Sequence, residues 1–217
     1  MIGDAEADLF TFTSRADWEA VVGNNVETVT FNEFITRIPF QETPLDVGPF
    51  TFTTQEPFSP DASSLIDLEP YLSSPRSDGF PIDGTPYARI GVNNDLFGRG
   101  DTTVSAAFDR SITAWGADFT AAGTRELLDL ALFTESNEQP IIVPVEVNTG
   151  FFGFVLDQNT PVRNIKFQSR LTLDGTERFG VDNISFLFVP EPTSLLTLGF
   201  IVFRLSRRRQ APPIVGR

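Results

Sequence analysis

Apolar residues along much of this 217-residue chain recur at every second position. Phe50/Phe52, Val104/Ala106/Phe108, Phe152/Phe154, Ile165/Phe167 and Ile184/Phe186/Phe188 are the clearest runs. Period two sends successive side chains to opposite faces, so each run predicts a strand with one apolar face. Strands are expected at Leu9–Thr13, Val26–Phe34, Phe50–Thr53, Thr103–Phe108, Ile112–Phe119, Leu127–Thr134, Ile141–Val147, Phe151–Val155, Asn164–Gln168 and Phe179–Phe188. A further one is expected at Tyr87–Val92. Turn signals such as Asn148-Thr149-Gly150 and Leu173-Asp174-Gly175 separate them.

One stretch departs from this period. In "SRADWEAVVG" Ser14 stands as an N-cap, Asp17 falls three residues on, and Gly23 is a stop. Trp18, Val21 and Val22 lie at i, i+3 and i+4, the spacing of one helical face. The pattern therefore predicts an all-β fold, an antiparallel β-sandwich of jelly-roll type, with one short N-terminal helix. Its body spans residues 8–189. Residues 55–101, rich in Pro, Ser, Asp and Gly, read as a long loop region over one end.

Composition sharpens the core and narrows the chemistry. There are 22 Phe against one Met and two Tyr. Phe carries a large apolar area and no polar atom, so the core is expected to be built largely from it. The absence of Cys and His excludes disulfides, thiolate catalysis, the usual zinc sites and a Ser-His-Asp triad. Of the 16 basic and 29 acidic residues, five and one follow Val189, leaving the body near −17 and the tail near +4. Such a body repels phosphate backbones, which argues against nucleic acid as a partner. It also suits solubility and the attraction of divalent cations.

The carboxylates are scattered, and no spacing sets two of them on one strand face with a tuning partner. No catalytic residue is assigned, and the expectation is a non-enzymatic protein. The alternatives are an exported polysaccharide-active hydrolase in which two loop carboxylates meet through folding, and a purely structural matrix protein with no ligand. Trp115 in "ITAWGADF" has the surface to stack on a sugar, but its alternation with Ala117 and Phe119 points it to the core. In "FGVDNISFLF" the pair Asp182-Asn183 opens a strongly apolar strand. It either binds a cation at the strand end or makes a turn bonded to its own backbone. The stretch resembles the last strand of jelly-roll carbohydrate-binding modules. That resemblance implies a structural Ca²⁺ held by Asp182 together with an acid of an early strand, here Glu33 in "VTFNEF". No cofactor beyond that ion is expected.

The C-terminus differs from everything before it. Thr193–Phe203 is an eleven-residue run with only Thr, Ser and Gly as polar interruptions, followed by Arg204 and by Arg207, Arg208 and Arg209. Carried on to Ser206 it makes a helix of about 21 Å, short of the roughly 30 Å of bilayer hydrocarbon. The order Pro190-Glu191-Pro192, apolar run, arginine cluster resembles the PEP-CTERM sorting signal. "TSRADWEAVVG", "FFGFVLD" and "FGVDNISF" are similar to the β-rich bodies that carry it. The resemblance implies an exported bacterial protein whose residues 190–217 include an apolar transmembrane helix. It also implies that an exosortase-type membrane transpeptidase recognises this tail and cuts it near the triplet. The arginines would stay cytoplasmic before processing, with the body outside, at the cell surface or in an exopolysaccharide matrix. Export requires a signal peptide. Ala5-Glu6-Ala7, of small-x-small form, makes residues 1–7 the expected remnant of one.

Overall fold

The computed structural model describes residues 9–34, 38–40, 43–55, 71–73, 85–94, 103–120, 128–135, 137–144, 149–157, 159–171 and 175–190. Among them are one helix, α1 (Arg15–Val22), and thirteen strands. The strands are β1 (Leu9–Phe12), β2 (Glu27–Val29), β3 (Ile38–Pro39), β4 (Leu45–Asp46), β5 (Phe50–Gln55), β6 (Tyr71–Ser73), β7 (Tyr87–Asn94), β8 (Thr103–Thr120), β9 (Leu128–Thr134), β10 (Asn137–Ile142), β11 (Thr149–Leu156), β12 (Val162–Leu171) and β13 (Gly175–Phe188). The described chain is mostly strand, and every pairing between strands is antiparallel. No helix among the described residues is long and apolar enough to cross a membrane. The expected C-terminal helix lies outside them, as do residues 1–7 and most of the loop region.

The alternation predicts two strands at 103–108 and 112–119, whereas the chain forms one strand of 18 residues, β8. Its first half pairs with β5 on one edge and β12 on the other. Its second half pairs with β11 and β13. A straight strand would set Phe108 about 24 Å from Trp115. Yet the Phe108 ring lies 5.1 Å from Phe186, the Cα partner of Trp115. Trp115 in turn lies 6.0 Å from Phe167, which pairs with Val104 of the first half. The strand therefore doubles back within the stretch Asp109-Arg110-Ser111. Asp109 and Arg110 there are exposed, and the β12 register slips between Val162/Ile112 and Asn164/Ala107.

The longest path of neighbours is β10-β9-β12-β8-β13-β7-β6-β3. β4 extends from β5, and β1 from β11. β13 pairs with β7 along Gly175–Val181 and then, on the same edge, with β2 along Ile184–Phe186. The core is the phenylalanine assembly that the composition predicts. Phe31, Phe40, Phe50, Phe52, Phe119, Phe152, Phe154, Phe167, Phe179 and Phe186 are all fully buried. Burying one such ring contributes about 1.5–3 kcal/mol. Many of the rings meet edge to face, as Phe50–Phe186 and Trp115–Phe119 do. One phase is reset along the way. Ile112, placed by alternation opposite Trp115, shares the core with it, because β8 carries one extra residue, Thr113, against the Leu187–Phe188 step.

α1 covers the outer face of the second half of β8. The Ser14 hydroxyl accepts from Asp17 N–H, and Gly23, at φ 78°, donates its N–H to Glu19 C=O. Trp18 is buried and donates Nε1–H to Phe154 C=O at 3.2 Å. Val21, predicted to point inward, is 59% exposed. The inner line runs through Arg15, Trp18 and Val22 instead, because Arg15 also has partners in the sheet and turns the helix toward them.

Beneath α1, Gly116 and Gly153 face each other across β8 and β11, and the Phe151 ring lies over both. A Cβ on Gly116 would collide with that ring, and one on Gly153 would come within 2.7 Å of it. Trp18 packs on Phe151 at 5.6 Å, and the Arg15 guanidinium stands 4.6 Å over it. Gly116→Ala must displace Phe151 and is expected to destabilise the fold by about 1–3 kcal/mol. A chemical-denaturation midpoint measures this, and an unchanged midpoint would show that the ring yields freely.

Candidate functional site

The strongest concentration of polar side chains on the sheet surrounds the Asp182-Asn183 pair. Asp182 pairs with Asp118 and Ser185 with Gly116, so Asn183 and Ile184 together oppose Ala117. This is a β-bulge. Asn183 has φ 50°, the only positive φ on a non-glycine residue among those described. That region costs most L-residues about 1–2 kcal/mol and is tolerated best by Gly and Asn. An apolar strand thus carries Asn here because the backbone must turn left-handed to admit the extra residue.

Side chains then hold the bulge in place. The Asn183 amide donates to Asp118 Oδ2 at 2.9 Å, and its N–H donates to Asp182 Oδ1 at 2.7 Å. The Thr85 hydroxyl, just ahead of β7, donates to Asp182 Oδ2 at 3.1 Å. Arg15 reaches across from α1 to Asp118 Oδ1 at 3.1 Å, Ser185 Oγ at 2.9 Å and Asn183 C=O at 3.0 Å. Ser185 gives its one hydroxyl proton to Asn183 C=O, so Thr28 of β2 is the donor in the 2.9 Å bond between the two hydroxyls. The cluster therefore sits where the edge of β13 passes from β7 to β2, and it ties both to α1 and β8.

Two aspartates directly across a strand pair repel. Here Arg15 offsets the charge of Asp118, while Asp182 is 1% exposed. Each of the four carboxylate oxygens has a protein donor. Carboxylates so engaged hold the backbone of the bulge in place. Among the described residues no cluster of three or more Asp, Glu, His or Cys could hold a metal ion.

The sequence candidates are distributed unevenly around this cluster. Asp182 is at its centre. Glu33 lies exposed in the turn closed by the Phe34 N–H to Phe31 C=O bond beyond β2. Trp115 is fully buried, stacked on Phe154 at 5.8 Å, and offers no ring face to a sugar. Its indole N–H has no partner among the described residues. Pro190 is exposed. Glu191, Pro192, Arg204, Arg207, Arg208 and Arg209 lie outside the described residues. Sequence reasoning did not find Arg15, Thr85 or Ser185 as partners of the pair. Asp118 did leave a signal, as a charge among the apolar residues of "ITAWGADF".

Asn183→Gly keeps the left-handed backbone and loses only the amide bond to Asp118. Asn183→Ala loses both, and is expected to cost about 1–2 kcal/mol more than the glycine variant. Equal denaturation midpoints for the two variants would contradict a backbone role for Asn183. Comparison with known proteins finds no family model that matches this chain and no characterised sequence significantly similar to it.

Proposed function

We propose that this chain is an exported, surface-sorted and non-enzymatic protein of the bacterial envelope or exopolysaccharide matrix. Its body is a jelly-roll-like β-sandwich, and residues 190–217 are the signal read by an exosortase-type transpeptidase. The observation that carries this reading is the order Pro190-Glu191-Pro192, apolar run Thr193–Phe203, arginine cluster Arg207-Arg208-Arg209. Among the described residues the last backbone bond of the body is Val189 N–H to Ser111 C=O, and the very next residue opens the triplet. That placement suits a signal that must be removable without loss of the body. The doubling back of β8 supports the sandwich, since it brings Phe50, Phe108 and Phe167 against Phe186, Trp115 and Phe179. The bonds made by Asp118 and Asp182 support a structural role for both. Any ligand is expected to be a glycan rather than nucleic acid, given the acidic body.

For Asp182 we assign the bulge-fixing role. A structural Ca²⁺ shared with Glu33 is the competing proposal. That ion takes six to eight oxygen ligands and would compete with the Thr85 and Asn183 donors. The melting temperature is expected to be the same with Ca²⁺ and with a chelator; a clear rise on adding Ca²⁺ would return the ion to Asp182 and Glu33.

Ending the chain at Val189 is expected to leave the melting temperature within about 1 °C of the full chain, since a removable signal contributes nothing to the body and the described ladder already closes at Val189. Intact mass of the protein from its native host checks the processing itself. A species ending near Glu191 is expected, and a full-length membrane-bound species would overturn the sorting reading.

A further inference from the structure

Both ends of the described chain leave from the same end of the fold. Leu9 pairs with Leu156, one residue past Val155, which pairs with Ala114. Phe188 pairs with Ile112 on the other edge of β8. Across the neighbours β1, β11, β8 and β13, Leu9 and Phe188 therefore stand at one level, three strand spacings or about 14 Å apart. The strand β8 doubles back at this same level, through the exposed Asp109 and Arg110. The Asp109 N–H bonds Pro49 C=O, which brings the start of β5 to this end as well.

The exit of the chain is fixed and abrupt. Arg110 stacks over the Phe188 ring at 3.7 Å and reaches Glu27 Oε1 at 3.3 Å, while Val189 is held by Ser111. Only Pro190, Glu191 and Pro192 separate this anchored point from the apolar run that starts at Thr193. The four steps from Val189 to Thr193 span at most about 14 Å. Two of the three intervening residues are proline, which fixes φ and biases the residue before it toward extended backbone, so the sequence itself favours a stiff connection.

We infer that the end of the fold formed by Asp109-Arg110-Ser111 rests at the headgroup level of a phospholipid bilayer while the tail is in the membrane. This rests on the reading of residues 190–217 as a membrane-held signal. The occupant of this surface is set by the chain itself: a largely apolar run, Thr193–Phe203, starts within about 14 Å of the anchored Val189. The opposite end of the fold points away from the membrane. Gln55, exposed at the far end of β5, stands five residues or about 17 Å beyond Phe50, which pairs with Phe108 at the near end.

The lack of cysteine makes the test direct, because any introduced thiol is unique. Full-length Asp109→Cys and Gln55→Cys proteins, each carrying a fluorophore, are reconstituted with phosphatidylcholine vesicles that contain a headgroup-labelled quencher lipid. Both are first checked by flotation. The expected result is co-flotation, with the label at position 109 quenched several-fold more than the label at position 55. Co-flotation with equal quenching, or with position 55 quenched more, would overturn the orientation while leaving the membrane reading intact. Failure of both proteins to float would overturn the membrane reading and the orientation with it.

Discussion

One strand cannot carry two different pairs of ladder partners around one core unless it turns, and β8 is that strand. It is hydrogen-bonded on both edges along both halves, to β5 and β12 first and to β11 and β13 afterwards. Nearly every other element takes its place from one of these ladders. The turn itself is made by Asp109, Arg110 and Ser111, where the apolar period lapses and the exposed side chains face water. Because of that turn, Phe108 of the first half meets Phe186 on a partner strand of the second, and Trp115 of the second half meets Phe167 on a partner strand of the first. A core of rings results without any residue that can cross-link it covalently.

The outer face of the second half shows how the remaining surface is closed. Two facing glycines make room for the Phe151 ring, which gives Trp18 and Arg15 something to rest on. Arg15 then does on the polar side what Trp18 does on the apolar side, joining α1 to residues on β8 and β13. The left-handed Asn183 is tolerable because its neighbours satisfy it from several directions. Removing any one of them would leave a polar group of the bulge without its partner, which costs more than the bond itself contributes.

The sequence displayed the local rules well and the distant ones poorly. Period two located the longer strands, and the Ser14–Gly23 signals bounded α1 to the residue. Where two rules competed, local periodicity lost. Val26–Phe34 shrank to β2, and of Ile141–Val147, whose last three residues lie outside the described ones, Ile141 and Ile142 close the earlier strand Asn137–Ile142. Two predicted strands fused into β8, because hydrogen bonding continues through a stretch whose side chains have turned to solvent. The site was half legible. Asp182-Asn183 stood out as polar residues in an apolar strand, and bonding to their own backbone was one of the two readings open. That Arg15 would reach Ser185, 170 residues away, leaves no trace in either local pattern.

That distance also orders events in time. Arg15 and Trp18 are made well before their partners Asp118, Phe151, Phe154, Asn183 and Ser185. The helix α1 can dock only after β8, β11 and β13 have been synthesised and paired. Ladders closed over such separations form slowly, on the order of milliseconds to seconds. Through that interval Phe10, Phe12, Trp18 and the edge of β11 stand open to other chains, the circumstance in which β-rich proteins aggregate. The heavy negative charge of the body then acts as kinetic protection, since mutual repulsion keeps half-folded copies apart until the opening segment is in place.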